Sequence, residues 1–254
     1  MKAENIASSS GSAVGVHYPD DVGQFIPPED WAIYSAVLSH ARASGVRFAM
    51  SGGFTGSFYT GVWRNTKDMD LCVLPSNREA LIDATRRAGL HDLHDEKPYD
   101  RRWIYRATRD GVIVDTIWQL ANFRDQVDDA WLECGPEVVL YGESVRLVPP
   151  EEMIWSKIHI VQRERCDWPD VINLIYATGA ALDWSRLIRR MRGPDERLLG
   201  SVMLLFSWLA PGRARTFPEW IWGALRIAPP GDGPDRDDAR VALLESRPWF
   251  AVGA

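Results

Sequence analysis

Three aspartates stand where their neighbours make a carboxylate costly. Asp68 and Asp70 open the apolar run Asp68-Met69-Asp70-Leu71-Cys72-Val73-Leu74, and Asp115 interrupts Val112-Ile113-Val114-Asp115-Thr116-Ile117. Runs of this length, rich in β-branched and apolar residues, read as strands. Side chains alternate along a strand, so Asp68 and Asp70 share a face while Met69 and Leu71 pack elsewhere. Two carboxylates aimed at one point repel each other, and a divalent cation relieves that repulsion. Donors that are all oxygen suit Mg2+ or Mn2+. A carboxylate such as Asp115 inside an apolar run is unfavourable unless it is paired. A metal shared with Asp68 and Asp70 accounts for it, and three carboxylates around two cations can hold the attacking and leaving oxygens of a displacement at phosphorus.

A second group of residues could meet the phosphates. The apolar segment Val46–Met50 runs into Ser51-Gly52-Gly53, and glycines there let backbone approach a ligand closely. A helix beginning at that point offers free N–H groups and the positive end of its dipole. Arg64 follows it, and a guanidinium matches phosphate oxygens well. Each feature also has a plainer reading. Asp68 and Asp70 fit a solvated turn before a strand, Asp115 a paired structural carboxylate, the glycines a tight strand-to-helix turn, and Arg64 a surface arginine.

The elements that must position these residues follow from periodicity. Pro27-Pro28-Glu29-Asp30 starts a helix whose apolar positions are Tyr34, Val37, Leu38 and Ala41, closed by Gly45. The spacing then predicts a strand over 46–50, a helix over 54–63, a strand over 69–74 and a helix over 77–88 ending at Gly89. An antiparallel pair is expected over 102–107 and 112–118, with Arg109-Asp110-Gly111 as its turn. Two short strands follow, in EVVLYG and SVRLVP. Pro149-Pro150 marks a boundary. Beyond it the periods are helical, over 151–162, 169–177, 184–191, 196–209 and 218–225, then a loop over 228–238 and a last short helix. The expected organisation is a flexible tail over 1–28, an α/β domain over 29–149 and a helical domain over 150–254. The fold class is α/β (α+β): a small mixed sheet with flanking helices, followed by the helical C-terminal domain.

Bulk properties narrow the function classes. The 254 residues are 46% hydrophobic, enough for a sizeable core. The formal net charge is -6, which lacks the basic excess of a general nucleic-acid binder, so DNA is not expected as a partner. No run of about 18 apolar residues predicts a membrane span, and the first residues lack the apolar core of a secretory signal. Three separated cysteines, Cys72, Cys134 and Cys166, suggest neither a disulfide framework nor a zinc site. The expected compartment is the cytoplasm. Of 12 tryptophans, seven lie at Trp155 or later, and core packing accounts for them. Arg186, Arg189 and Arg190 lie on one helical face, read as solvated or as a grip on an anionic acceptor such as RNA. Asp167 and Asp170 read as capping residues before and within the first turn of the helix over 169–177, and His159 as a core or surface histidine.

The combined pattern resembles the nucleotidyltransferase superfamily, in its bacterial branches of antibiotic, minimal and abortive-infection-type nucleotidyltransferases. The residues that carry the resemblance are Gly52, Gly53, Arg64, Thr66, Asp68, Asp70 and Asp115, within roughly 46–118. The resemblance implies an enzyme that moves a nucleoside monophosphate from a nucleoside triphosphate such as ATP to a hydroxyl, releasing pyrophosphate. Asp68, Asp70 and Asp115 would be the catalytic and metal-holding residues, with Asp115 completing the metal site or serving as general base. Ser51, Gly52, Gly53, Thr55, Ser57 and Arg64 would meet the nucleotide. Lys157, in the segment opened by Pro149-Pro150-Glu151-Glu152, would reach it from the helical half. The acceptor could be a small molecule, an RNA or a protein. Phe54 stands where the family often has Ser or Thr. That departure motivates the alternative, an inactive nucleotide-binding or toxin–antitoxin-type module of the same fold.

Overall fold

The computed structural model describes residues 26–63, 66 and 68–244. Arg64 and most of the expected tail lie outside them. Helix α1 (Pro28–Ala43) is followed by β1 (Phe48–Met50), α2 (Gly52–Thr60), β2 (Asp68–Val73), α3 (Arg78–Arg87), β3 (His91–Asp92), β4 (Ile104–Arg109) and β5 (Val112–Ile117). The five strands form a mixed sheet in the order β1-β2-β5-β4-β3. β2 and β5 are parallel neighbours, while β1–β2, β3–β4 and β4–β5 are antiparallel. A short helix α4 (Asp129–Glu133) leads to a separate hairpin, β6 (Glu137–Leu140) and β7 (Glu143–Arg146).

The rest is helical: α5 (Pro150–Ile158), α6 (Trp168–Thr178), α7 (Trp184–Arg190), α8 (Glu196–Leu209), α9 (Pro211–Ala214), α10 (Trp220–Leu225) and α11 (Asp238–Val241). The expected mixed sheet with flanking helices and a helical C-terminal region is therefore present. Buried apolar residues form one contiguous cluster from Ile26 to Leu225, so sheet and helices share a core. Trp118, Trp131, Trp155, Trp184 and Trp222 are buried in it, whereas Trp208 and Trp220 are exposed. Among the described residues, no helix is long and apolar enough to cross a membrane.

Small shifts at element ends aside, three elements depart from expectation for a local reason. The β4–β5 turn has only two central residues, Asp110 and Gly111, both at positive φ (54° and 85°). That backbone matches the twist of a tight hairpin, and it moves β4 two residues along the chain. Helix α2 starts at Gly52 rather than Phe54 and stops at Gly61, whose φ of 72° closes it. Helix α5 ends at Ile158, not Gln162, because the chain folds back on itself there. Gln162 N–H donates to Arg165 O at 2.7 Å and Asp167 N–H to Ile160 O at 2.9 Å. His91-Asp92, Asp129–Glu133 and Pro211–Ala214 are too short to leave a periodic signal.

Candidate active site

The parallel register of β2 and β5 sets Asp70 directly beside Asp115, with Asp68 two residues earlier on the same face. Met69 and Leu71, on the other face, are fully buried. Asp115 is itself only 3% exposed, while Asp68 and Asp70 are half-buried. The site therefore concentrates negative charge against the core. Burial and repulsion from Asp115 and Asp68 push the Asp70 carboxyl well above the usual range, and Lys157 and Arg106 offset this only in part. Burial likewise pushes Asp115 up to about 6, against the pull of Arg106.

Arg106 is a site residue that the sequence reading missed. The β4–β5 register pairs it with Asp115. Its Nε donates to Asp115 Oδ1 at 2.8 Å and Oδ2 at 3.1 Å, and its Nη2 to Asp68 Oδ2 at 3.1 Å. The tight Asp110-Gly111 turn was the available signal: two central turn residues oblige 106 and 115 to face each other, whereas a longer turn shifts the register.

The strand-to-helix turn sits on top of the carboxylates. Ser51 N–H donates to Asp70 O at 2.9 Å. Gly52 has φ +67°, and a Cβ there would overlap the Asp70 carboxylate. Gly53 is constrained more mildly: its φ is ordinary, and a Cβ there would lie 2.8 Å from the Thr66 side chain. Thr66 in turn donates to Asp68 Oδ1 at 2.9 Å. The hydroxyls nearby have protein partners: Ser51 Oγ lies 3.2 Å from Met153 Sδ, Thr55 Oγ1 donates to Met50 O at 2.7 Å, and Ser57 Oγ donates to Gly53 O at 3.0 Å. Phe54 is buried edge-on against Tyr34 and tilted against Trp63, so it belongs to the core beneath the turn.

From the helical half, Lys157 Nζ lies 3.1 Å from Asp167 Oδ2 and 2.8 Å from Asp170 Oδ2, and Arg165 also grips Asp167. Asp167 therefore does not cap α6 with its side chain; it ties α6 to α5. Arg186 and Arg190 turn inward instead of forming a solvated or RNA-facing stripe. Arg186 pairs with Glu151, and Arg190 lies 2.6 Å from Asp128, with Glu152 buried between the two arginines. His159 is tucked against Trp155 O at 3.1 Å. A groove of about 360 Å³ lies away from the aspartates, lined by Arg42, Arg47 and Arg146, and each of these arginines is already paired with a glutamate.

The donor set fits a hard divalent cation: three carboxylates share one face, and burial, with their mutual repulsion, raises two of them. Among the described residues, no three acidic, His or Cys side chains are already gathered as a ligand cluster; the Arg106 guanidinium bridges Asp68 and Asp115.

No curated protein matches the chain. Among solved structures, the antibiotic-resistance factor ANT(2'')-Ia in solution is 16% identical, covering 66% of this chain and 91% of that one, with a TM-score of 0.48. The lincosamide antibiotic adenylyltransferase LnuA, bound to lincomycin, is 13% identical over 59% of this chain and 96% of that one, with a TM-score of 0.41. JHP933 from Helicobacter pylori is 13% identical over 72% and 82%, with a TM-score of 0.38. The sequence profile of a family described as "nucleotidyl transferase of unknown function (DUF2204)" matches residues 31–201. That span holds the whole five-stranded sheet, the glycine turn, the three aspartates and the helices bearing Lys157, and by it the chain belongs to this family of nucleotidyl transferases.

Proposed function

We propose that this nucleotidyl transferase moves a nucleoside monophosphate from a nucleoside triphosphate to a hydroxyl acceptor and releases pyrophosphate, with a divalent cation held by Asp68, Asp70 and Asp115. The observation that carries the proposal is the row Asp70–Asp115 on adjacent parallel strands, directly under a glycine turn that only a residue without Cβ can occupy. Mg2+ or Mn2+ bound there would neutralise the triphosphate and stabilise charge developing on the oxygens around phosphorus. Gly52 and Gly53 leave room for phosphate oxygens to approach backbone N–H groups at the start of α2. Asp115 would complete the cation site or act instead as general base on the acceptor hydroxyl. The acceptor oxygen bonds to the α-phosphorus as the bond from that phosphorus to the α,β-bridging oxygen breaks, and the electron pair leaves with pyrophosphate. Lys157 adds positive charge from the helical half, where Asp167 and Asp170 fix its position.

Calorimetric titration with Mg2+ and each of the four ribonucleoside triphosphates tests this without knowledge of the acceptor. Wild type is expected to bind a nucleotide only with metal, and an Asp68→Asn/Asp70→Asn variant not to bind. A folded wild type that binds none of the four overturns the reading. Metal-dependent binding with no pyrophosphate release under any acceptor would instead favour the inactive nucleotide-binding module.

A further inference from the structure

Arg106 holds the same carboxylate oxygens that a divalent cation needs. Its Nε is shared between the two oxygens of Asp115, and its Nη2 reaches Asp68. The backbone beneath it is fixed: Arg106 N–H donates to Tyr99 Oη at 3.0 Å, and Tyr99 donates to Asp92 at 2.8 Å. The side chain is not fixed in the same way. It is 30% exposed, against 4% for Asp115, so its end lies on the open side of the carboxylates. A guanidinium and a divalent cation on the same oxygens repel each other, and the Arg106 nitrogens occupy lone pairs on the open side from which a cation would approach.

We propose that Arg106 is a built-in competitor for the cation that couples metal binding to triphosphate binding. This rests on the metal-and-triphosphate reading above. When metal binds alone, the displaced guanidinium loses two carboxylates and stays close to a second positive charge. When metal arrives with a triphosphate, phosphate oxygens replace the carboxylates as partners of the planar guanidinium, which suits two-point contact with phosphate. Metal and triphosphate therefore strengthen each other's binding by a common factor, as linkage requires. Arg106 therefore acts on the carboxylates before the ligands arrive and contacts the triphosphate once displaced.

The test uses Mn2+ alone and the Mn2+–tripolyphosphate complex, a probe that needs no knowledge of the base. Calorimetry on the full chain compares wild type, Arg106→Gln, Arg106→Lys and Asp68→Asn/Asp70→Asn. Arg106→Gln is expected to bind Mn2+ alone about tenfold more tightly than wild type and Mn2+–tripolyphosphate more weakly, which removes a coupling of that typical size. A merely structural arginine would weaken both when replaced. Arg106→Lys keeps the charge but reaches one carboxylate at a time; it shifts both affinities the same way by a smaller factor and supplies the result if the Gln variant does not fold. If wild type binds Mn2+–tripolyphosphate through Asp68 and Asp70 while neither Arg106 variant gains affinity for Mn2+ alone, the coupling role is overturned and the metal reading survives. If wild type binds neither probe, the metal reading itself is overturned, and this inference with it.

Discussion

Asp70 and Asp115 carry the electrostatic load of the site, and its consequences can be separated by charge and by pH. Asp70→Asn removes a carboxylate crowded by two others, so the folded chain in chelator should melt no lower than wild type. If Asp70 holds the proposed cation, transfer should nevertheless fall by about a thousandfold or more, since metal-assisted charge stabilisation contributes several kcal/mol to the transition state. Melting curves and a pyrophosphate-release assay on one preparation check both halves. For Asp115, the folded chain binds a proton more tightly than the unfolded chain, about 6 against 3.8. A raised value contributes stability below the unfolded value, and that contribution is lost as pH rises through the folded one. In chelator, wild type should therefore lose on the order of 2–3 kcal/mol relative to Asp115→Asn as pH rises through about 6. Mg2+ should restore most of it above that pH, because cation binding needs ionised carboxylates. Equal slopes for the two proteins would contradict the shift. Asp128 and Asp167 are held below the usual range by their cations, so their titration falls outside this window. At this scale alternation along β2 was enough to put Asp68 and Asp70 on one face. Arg106 was hidden because its role depends on a pairing register, which a turn one residue longer would have changed.

The glycine turn between β1 and α2 is where local structure and chemistry constrain each other. Gly52 is pinned by positive φ and by the carboxylate against it, whereas Gly56, four residues on in the same helix, would meet nothing within 4 Å on gaining a Cβ. Gly52→Ala is therefore expected to lower stability by about 1–3 kcal/mol through backbone strain and to abolish metal binding by driving Asp70 aside. Gly56→Ala should be neutral or raise stability by about 0.5–1 kcal/mol, as alanine does inside a helix. Chemical denaturation with and without Mn2+ reads both; equal effects at the two positions would mean that the turn does not constrain the site. The sequence announced this turn through Ser51-Gly52-Gly53 but not its tightness. The apolar pattern begins at Phe54, while the helix begins two residues earlier on glycines that have no pattern to show. The same limit applies to α5, where apolar Ile160 and Val161 continue a helical rhythm that a fold-back, placing Asp167 against Lys157, interrupts.

Across the whole molecule, the helical half is joined to the sheet half by charge as well as by the shared apolar cluster. Glu152 is fully buried at the start of α5, 3.4 Å from both Arg186 Nε and Arg190 Nε on α7. Arg190 continues to Asp128 ahead of α4, which packs on β1 and β2, and stacks over the Trp155 ring at 4.8 Å. The spacing of Arg186 and Arg190 was visible in sequence, but their direction was not: a helical arginine pair looks solvated until a buried glutamate from another helix is placed against it. Removing that glutamate leaves Arg186 with Glu151 and Arg190 with Asp128 but takes away the anion they share, a loss of about 1.5–3 kcal/mol, the size of a charged hydrogen bond. If the two halves unfold together, Glu152→Ala, far from the aspartates along the chain, should lower the stability of the sheet as much as that of the helices. Native-state hydrogen exchange resolves this by comparing amides of β5, such as Val114, with amides of α8, such as Phe206. Equal loss of protection at both places is the expected result, with a single coincident thermal transition by circular dichroism and tryptophan fluorescence. Loss confined to α8 would mean that the sheet folds independently, and that the carboxylate site keeps its geometry when the helices that bring Lys157 to it have opened.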